Sequence, residues 1–272
     1  MQYDPIKRSL GKVFNKRPFL RKLFYQLLDL LLLRAWYVKR EIKRWAGNQS
    51  RDSKKTLLDA GSGFGQYSYF MSGLNPAWQV DAVDVKEEQV ADCNAFFKKT
   101  GRGNVRFEVA DLVKFSKPSH YDLILSVDVM EHILEDEVVF RNFYDSLKTG
   151  GVLFISTPSD QGGSDVHDSG HEGSFIDEHV RDGYNMAGLC EKLKRAGFTG
   201  TEAFYTYGKP GQAGWRLSMK YPIQMLNASK IFFVILPFYY ILAYPVAFIC
   251  NWMDCNMKHD TGTGLMVMAK KC

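Results

Sequence analysis

A glycine-rich stretch near residue 60 limits the possible folds of this 272-residue chain more than any other feature. An apolar run, Leu57 to Ala60, ends in three alternating glycines, Gly61, Gly63 and Gly65. This pattern predicts a buried strand that turns sharply into a helix, with side chains missing where the backbone approaches a ligand. The interval between the second and third glycines is one residue shorter than in dinucleotide-binding sites, and Asp59 lies just before the turn. Both departures favour a nucleoside ligand without a pyrophosphate.

Further strands follow the glycine turn, and the first three of them end in an acid. The predicted strands are Val80 to Asp84, Asn104 to Asp111, Tyr121 to Asp128 and Val152 to Thr157. An acid at the position of Asp84 can accept hydrogen bonds from ribose hydroxyls. Helical stretches separate these strands, and this alternation predicts parallel βαβ units in one sheet.

This order of motifs resembles the class I S-adenosylmethionine-dependent methyltransferases, in particular those that act on small molecules and quinone precursors. The resemblance covers residues 55–207 and the end of the chain. It implies an α/β fold, a Rossmann-like sheet of seven strands with helices on both faces. The last two strands, Glu202 to Tyr207 and Gly264 to Ala269, would pair antiparallel. The methyl acceptor is not implied.

The resemblance also implies that S-adenosylmethionine is the cofactor. The matching positions are Asp59, Gly61, Gly63, Gly65, Asp84, Asp111 and Ser126. The backbone of the glycines would lie along the methionine part, Asp84 would bind the ribose and Asp111 the adenine amine. Asp59 would orient the glycine turn or the cofactor's amino group.

Three side chains are candidate general bases for the acceptor proton. His132 follows the fourth predicted strand, at the edge where α/β sheets bind ligands, although a histidine there can also hold the loop. His179 and Tyr184 belong to a segment rich in histidines and acids that follows the fifth strand. We expect this segment to line the acceptor pocket.

The same segment raises the question of a metal ion. His167 and His171 could bind a divalent cation together with Asp165, but their spacing matches no known template. We therefore expect no metal. The five cysteines are scattered and form no Cys-x-x-Cys pair, which predicts reduced thiols in a cytosolic compartment.

The N-terminal segment differs sharply in charge from the rest of the chain. Residues 1–55 have a net charge of +11, and the remainder has a net charge of −6. Phe19 to Trp45 has helical periodicity, with a wide apolar face and cationic flanks, which is typical of a helix on a membrane surface. A cap helix over the cofactor site would show the same pattern. The leucine-rich stripe argues against a nucleic-acid partner.

A second apolar segment, Ile231 to Cys250, contains twenty residues without a charge. Its length would span a bilayer. The two predicted strands that flank it belong to one sheet, so a single crossing is excluded. Pro237 and Pro245 interrupt helical hydrogen bonding and favour a bent, monotopic insertion. A soluble hydrophobic lid over the active site is the alternative.

These patterns predict three regions and one function. The regions are a basic amphipathic segment at 1–54, a methyltransferase core at 55–207 and 261–272, and a membrane-contacting or lid insert at 208–260. The function is methyl transfer to a lipid-like or lipid-linked acceptor, at oxygen, on the cytoplasmic face of a membrane. A soluble small-molecule methyltransferase and a non-catalytic membrane-docked scaffold remain open as alternatives.

Overall fold

A computed structural model describes residues 17–162, 180–229 and 231–272, and its centre is a seven-stranded sheet. The strands are β1 (Thr56–Ala60), β2 (Gln79–Asp84), β3 (Val105–Val109), β4 (Tyr121–Val127), β5 (Leu147–Pro158), β6 (Gly200–Thr206) and β7 (Gly264–Lys270). Their order is β3-β2-β1-β4-β5-β7-β6. Only β7 runs antiparallel to its neighbours β5 and β6. The predicted Rossmann-like methyltransferase sheet is confirmed.

Nine α-helices lie in the described part of the chain. They are α1 (Pro18–Leu31), α2 (Leu33–Gly47), α3 (Gln66–Met71), α4 (Glu87–Lys99), α5 (Asp136–Ser146), α6 (Met186–Arg195), α7 (Lys209–Trp215), α8 (Tyr221–Ala228) and α9 (Phe232–Asn256). A 3₁₀ turn, Met130–His132, follows β4, and a π-helical segment, Arg216–Lys220, joins α7 to α8. Helices cover both faces of the sheet, so its central strands are buried on both sides.

The prediction of one continuous helix from Phe19 to Trp45 is wrong. Leu32 has an extended backbone (φ −96°, ψ 108°) and separates α1 from α2. Helix α2 places Val38 and Ile42 in the core against the sheet, and α1 buries Tyr25 beside α4. Both helices therefore pack on the core. An apolar strip of α1 stays exposed, at Phe19, Leu23, Leu27 and Leu30.

Helix α9 is long, apolar and mostly uncovered. It runs for 25 residues, includes Pro237 and Pro245, and alone among the described helices has the length and composition to cross a membrane. Phe238 is 68% exposed and Leu242 is 78% exposed. Many apolar side chains of its first half thus face away from the protein core.

The second half of α9 is attached to the core through close helix packing. Its buried residues are Ala247, Asn251 and Asp254. They face α7, where a Cβ on Gly211 would lie 2.7 Å from the Asp254 carboxylate. A Cβ on Gly214 would lie 2.4 Å from the Asn251 amide oxygen. The two glycines are required because larger residues would push α7 and α9 apart.

Candidate active site

The glycine turn after β1 leaves space for a ligand at one position. The backbone of Gly61 has φ +83°, and an added Cβ would lie 2.2 Å from the Val129 side chain. Gly63 also has a positive φ, +49°, yet no atom lies within 4 Å of the place where its Cβ would be. Gly61 is therefore required by packing. Gly63 faces free space, where its backbone can contact a cofactor.

Asp84 lies at the end of β2 and contacts this turn directly. Its Oδ2 accepts a hydrogen bond from the Gly63 N–H at 2.9 Å, and its Oδ1 accepts one from the Lys86 N–H at 2.9 Å. A carboxylate oxygen has two lone pairs, so both oxygens can still accept from ribose hydroxyls. The carboxylate is half-buried and held in place, as a ribose-binding acid requires.

The other predicted cofactor acids lie in different environments. Asp59 is buried, and its Oδ2 accepts a hydrogen bond from the Ser68 hydroxyl at 2.5 Å, which ties β1 to α3. Burial raises the pKa of Asp59 to about 6. Asp111 is exposed just beyond β3, where its Oδ1 accepts from the Val113 N–H at 3.0 Å. Asp59 thus supports the turn, while Asp111 is accessible to a ligand.

Two buried serine hydroxyls near the turn lack a hydrogen-bond partner within the described residues. One is Ser126 in β4, which pairs in register with Ala60 at the end of β1. The other is Ser62 within the glycine turn. Buried polar atoms are normally satisfied, so these orphaned hydroxyls suit a polar ligand at this place. The residues at the turn therefore fit S-adenosylmethionine.

Arg21 of α1 is a site residue that sequence reasoning missed. It is buried, and its Nη2 donates to the Phe64 carbonyl inside the glycine turn at 2.8 Å. Its Nε donates to the Tyr25 hydroxyl at 2.9 Å, and its Nη1 donates to the Asp92 carbonyl of α4 at 3.2 Å. The spacing of Arg21 and Tyr25, four residues apart on one helical face, was the available signal.

A second missed pair lies where α2 begins. The Arg34 guanidinium forms an ion pair with Asp128, the residue directly after β4. Asp128 has a left-handed backbone, φ +50°, and its N–H donates to the Ser156 carbonyl at 2.9 Å. The pair lies at the carboxyl edge of the sheet, where doubly wound folds bind substrates. We call Arg34, Asp128, Glu131 and His132 the acceptor edge.

Glu131 is the most deeply buried member of the acceptor edge. Its Oε2 accepts a hydrogen bond from the Thr157 hydroxyl, at the end of β5, at 3.1 Å. Burial raises the pKa of Glu131, and the nearby His132 opposes that rise. His132 is half-buried in the 3₁₀ turn. A carboxylate beside the histidine can stabilise the protonated imidazole.

The structure does not support Tyr184 as a base. Its hydroxyl is buried and bonded to the Asp136 carboxylate at 2.7 Å and to the Met130 carbonyl at 3.0 Å. Burial and the neighbouring Asp136 raise its pKa, so the phenolate needed for proton removal is strongly disfavoured. Tyr184 instead ties α5 to the turn after β4.

The remaining predicted site residues of the histidine-rich segment lie outside the described residues. They are His179, His167, His171 and Asp165. Within the ranges that the structure describes, no group of three or more histidines, cysteines and acids is placed to hold a metal ion. All five cysteines are unpaired.

Comparison with known proteins agrees with this geometry. A family model described as a methyltransferase domain matches residues 51–208, more than half of the chain. Phosphoethanolamine N-methyltransferase 1 of Triticum aestivum is 32% identical over 138 residues, which cover 45% of this chain and 27% of that protein. The ubiquinone biosynthesis O-methyltransferase of Xanthomonas euvesicatoria is 28% identical over 102 residues, covering 37% of this chain and 42% of that protein.

The fold is also similar to solved structures. Haemonchus contortus phosphoethanolamine N-methyltransferase 2, in complex with S-adenosyl-L-methionine, superposes with a TM-score of 0.61. It is 18% identical and aligns over 87% of this chain and 52% of that chain. The chain belongs to the methyltransferase-domain family and is of the class I type, for which S-adenosylmethionine is the cofactor. It spans less than half the length of the curated relatives named above.

Proposed function

We propose that this chain transfers a methyl group from S-adenosylmethionine to a lipid-like or lipid-linked acceptor, at oxygen, on the cytoplasmic face of a membrane. The observation that carries the proposal is an exposed apolar surface next to the acceptor edge. Helix α9 contacts the junction of α1 and α2, because the Tyr244 hydroxyl donates to the Leu30 carbonyl at 3.3 Å. Arg34 of the acceptor edge lies in the first turn of α2.

The apolar surface is formed by two helices together. We call it the α1–α9 face; its members are Phe19, Leu23, Leu27 and Leu30 of α1 and Phe233, Val234, Phe238, Ile241 and Leu242 of α9. The Trp36 and Phe248 rings, 5.0 Å apart, hold α9 against α2 nearby. Exposed apolar side chains in such number are typical of a surface that binds an apolar partner, and basic residues such as Lys22 suit an anionic lipid surface.

The proposed chemistry needs positioning and removal of one proton. S-adenosylmethionine supplies an activated methyl group on a sulfonium. Asp84 and the glycine turn hold the donor, and closure by α1 and α2 excludes water. His132 takes the proton from the acceptor hydroxyl, and Glu131 stabilises the imidazolium that forms. His179 stays a second candidate base, since the next residue, Val180, donates its N–H to the Glu131 carbonyl at 3.0 Å.

The proposal is tested by measuring transfer of a labelled methyl group into lipid extracts. Full-length protein, S-adenosylmethionine with a tritiated methyl group and a cell extract that contains both membrane lipids and soluble metabolites should give label in the organic phase. His132→Gln should lower the rate about 10²–10⁴-fold with cofactor binding intact. Asp84→Ala should weaken cofactor binding by about 10- to 100-fold in calorimetry, because ribose loses a charged acceptor.

The three functional alternatives give different results in this assay. Label only in the aqueous fraction, from a soluble acceptor, would support a small-molecule enzyme whose α9 is a lid. Normal cofactor binding by the wild-type protein, with no label in either fraction, would support a non-catalytic scaffold. Label on a nitrogen of the extracted product, located by mass spectrometry, would contradict the oxygen assignment but not the lipid acceptor.

A further inference from the structure

Asp254 is a buried acid in a helix that otherwise has no charged residue. It lies in α9 and is fully buried. Its Oδ1 accepts hydrogen bonds from the Tyr37 hydroxyl at 2.7 Å and from the Tyr207 N–H at 3.2 Å. Its Oδ2 accepts from the Gly211 N–H at 2.8 Å and lies 3.3 Å from His259 Nε2. One carboxylate thus joins α9 to α2, α7 and the end of β6.

Tyr207 carries this connection toward the first turn of α2. It follows β6 and has a left-handed backbone, φ +56°, which a residue with a side chain rarely adopts. Its phenolic oxygen accepts a hydrogen bond from the Arg34 N–H at 2.9 Å. Arg34 is the second residue of α2, so its N–H has no acceptor within the helix. The Tyr207 hydroxyl supplies that acceptor and fixes where α2 begins.

The Arg34 side chain completes the connection to the acceptor edge. Its guanidinium pairs with Asp128, which directly follows β4. Three contacts therefore link α9 to the acceptor edge: Asp254 to Tyr207, Tyr207 to Arg34, and Arg34 to Asp128. Each contact is between different elements, so the placement of Arg34 depends on residues far away in sequence.

We propose that Asp254 is a positioning residue for methyl transfer, which acts through Tyr207 to place Arg34 at the acceptor edge. The proposal rests on the function proposed above, since it assigns the acceptor to this edge. Asp254 fixes the backbone of Tyr207, the Tyr207 hydroxyl anchors the start of α2, and this anchor sets the Arg34–Asp128 pair. The packing of α9 on the core therefore influences the position of the Arg34 side chain beside the acceptor.

Hydrogen exchange of the full-length protein tests the relay without an acceptor. Tyr207→Phe removes only the hydroxyl that accepts from Arg34, and the first turn of α2 should exchange roughly three- to tenfold faster. Asp254→Asn keeps the shape of the side chain but places an amide N–H₂ opposite a group that itself donates a hydrogen bond. The first turn of α2 should therefore exchange faster by a similar factor. Because both act through one contact, the double variant should exchange no faster than the stronger single variant.

Asp260→Asn is the matched control, because it removes one negative charge from an exposed position near the end of α9. It should leave the first turn of α2 at the wild-type exchange rate. The proposal is overturned if Asp254→Asn and Tyr207→Phe also leave that turn unchanged, or if their effects simply add. If Asp254→Asn does not fold, Tyr37→Phe takes its place with the same expected and contradicting results, since it removes only the hydroxyl that donates to Asp254.

Turnover separates positioning from a purely structural role. In the lipid-extract assay, Tyr207→Phe should lower kcat about tenfold while the Kd for S-adenosylmethionine stays within twofold. An unchanged kcat, with faster exchange at α2, would overturn the positioning role. If the wild-type protein labels no lipid fraction, the proposed function fails, whereas the exchange experiment still decides whether the relay exists.

Discussion

Helices α2 and α9 both carry many apolar side chains and both lie outside the sheet, yet they differ in how far those side chains are buried. Val38 and Ile42 of α2 are completely buried against the sheet, whereas Phe238 and Leu242 of α9 are largely exposed. Helix α2 carries charged residues on its other side, such as Arg44, which pairs with Glu41. An amphipathic helix fits the boundary between protein and water.

Helix α9 has no such polar side over most of its length. Asp254 is its only charged residue, and its contacts with the protein are made with α7, the π-helical segment, α8 and α2. Covering the five most exposed side chains of its first half would contribute on the order of 10 kcal/mol. A narrow apolar stripe, as on α2, is covered within the molecule, whereas a helix that is apolar all round, as α9 is, leaves apolar side chains exposed.

The largest expected effect is a difference in the free energy of unfolding between two variants, one with a charge introduced in α2 and one with a charge introduced in α9. Ile42→Asp buries an unpaired carboxylate and should destabilise the fold by at least about 4 kcal/mol. Leu242→Asp places the same carboxylate at an exposed position and should change stability by less than about 0.5 kcal/mol. Urea unfolding in mild detergent measures both. Similar losses in the two variants would break the comparison, because α9 would then be part of the core.

A smaller effect is expected on binding to vesicles of phosphatidylcholine and phosphatidylglycerol. Leu242→Glu removes an inserted side chain and introduces a charge, so partitioning measured by flotation should fall roughly 10- to 100-fold. Gln79→Glu, which adds the same charge at the exposed start of β2, is the control and should bind as wild type does. Equal behaviour of the two variants would mean that α9 does not enter the bilayer.

The smallest effect concerns the basic side of α1. Lys22→Gln should weaken binding to the same anionic vesicles about fivefold at low salt, since one lysine near the surface contributes about 1 kcal/mol. The difference should vanish in 0.5 M salt, where the Debye length is only about 4 Å. A loss that persists in high salt would indicate that the Lys22 side chain contributes packing rather than charge.

The glycine turn, the strands and Asp84 could be predicted from the sequence because each depends on local pattern. The break at Leu32 could not, since it lies in an unbroken run of leucines without glycine or proline. Tertiary contacts fix it: the Tyr207 hydroxyl binds the N–H of Arg34, and the Ser218 hydroxyl donates to the Leu31 carbonyl at 3.4 Å. These partners come from more than 170 residues away.

Tyr184 and Asp128 show the same limit at the site. Tyr184 lies in a segment whose composition suggests chemistry, but its hydroxyl is fixed by Asp136, which is 48 residues away. Asp128 was visible at the end of a strand, but its pairing with Arg34 depends on how the N-terminal helices return to the sheet. Local patterns identify which elements form, whereas the partner of each polar side chain is set by the assembled fold.

Hydrogen exchange with and without vesicles tests the difference between α2 and α9 most directly. With phosphatidylcholine and phosphatidylglycerol vesicles present, amides of residues 232–246 should exchange at least about tenfold more slowly, while those of the buried part of α2 should not change. Unchanged exchange in residues 232–246, together with a protein that stays monodisperse without detergent, would contradict the account. The α1–α9 face would then be no membrane surface, and the lipid-like acceptor would lose its main support.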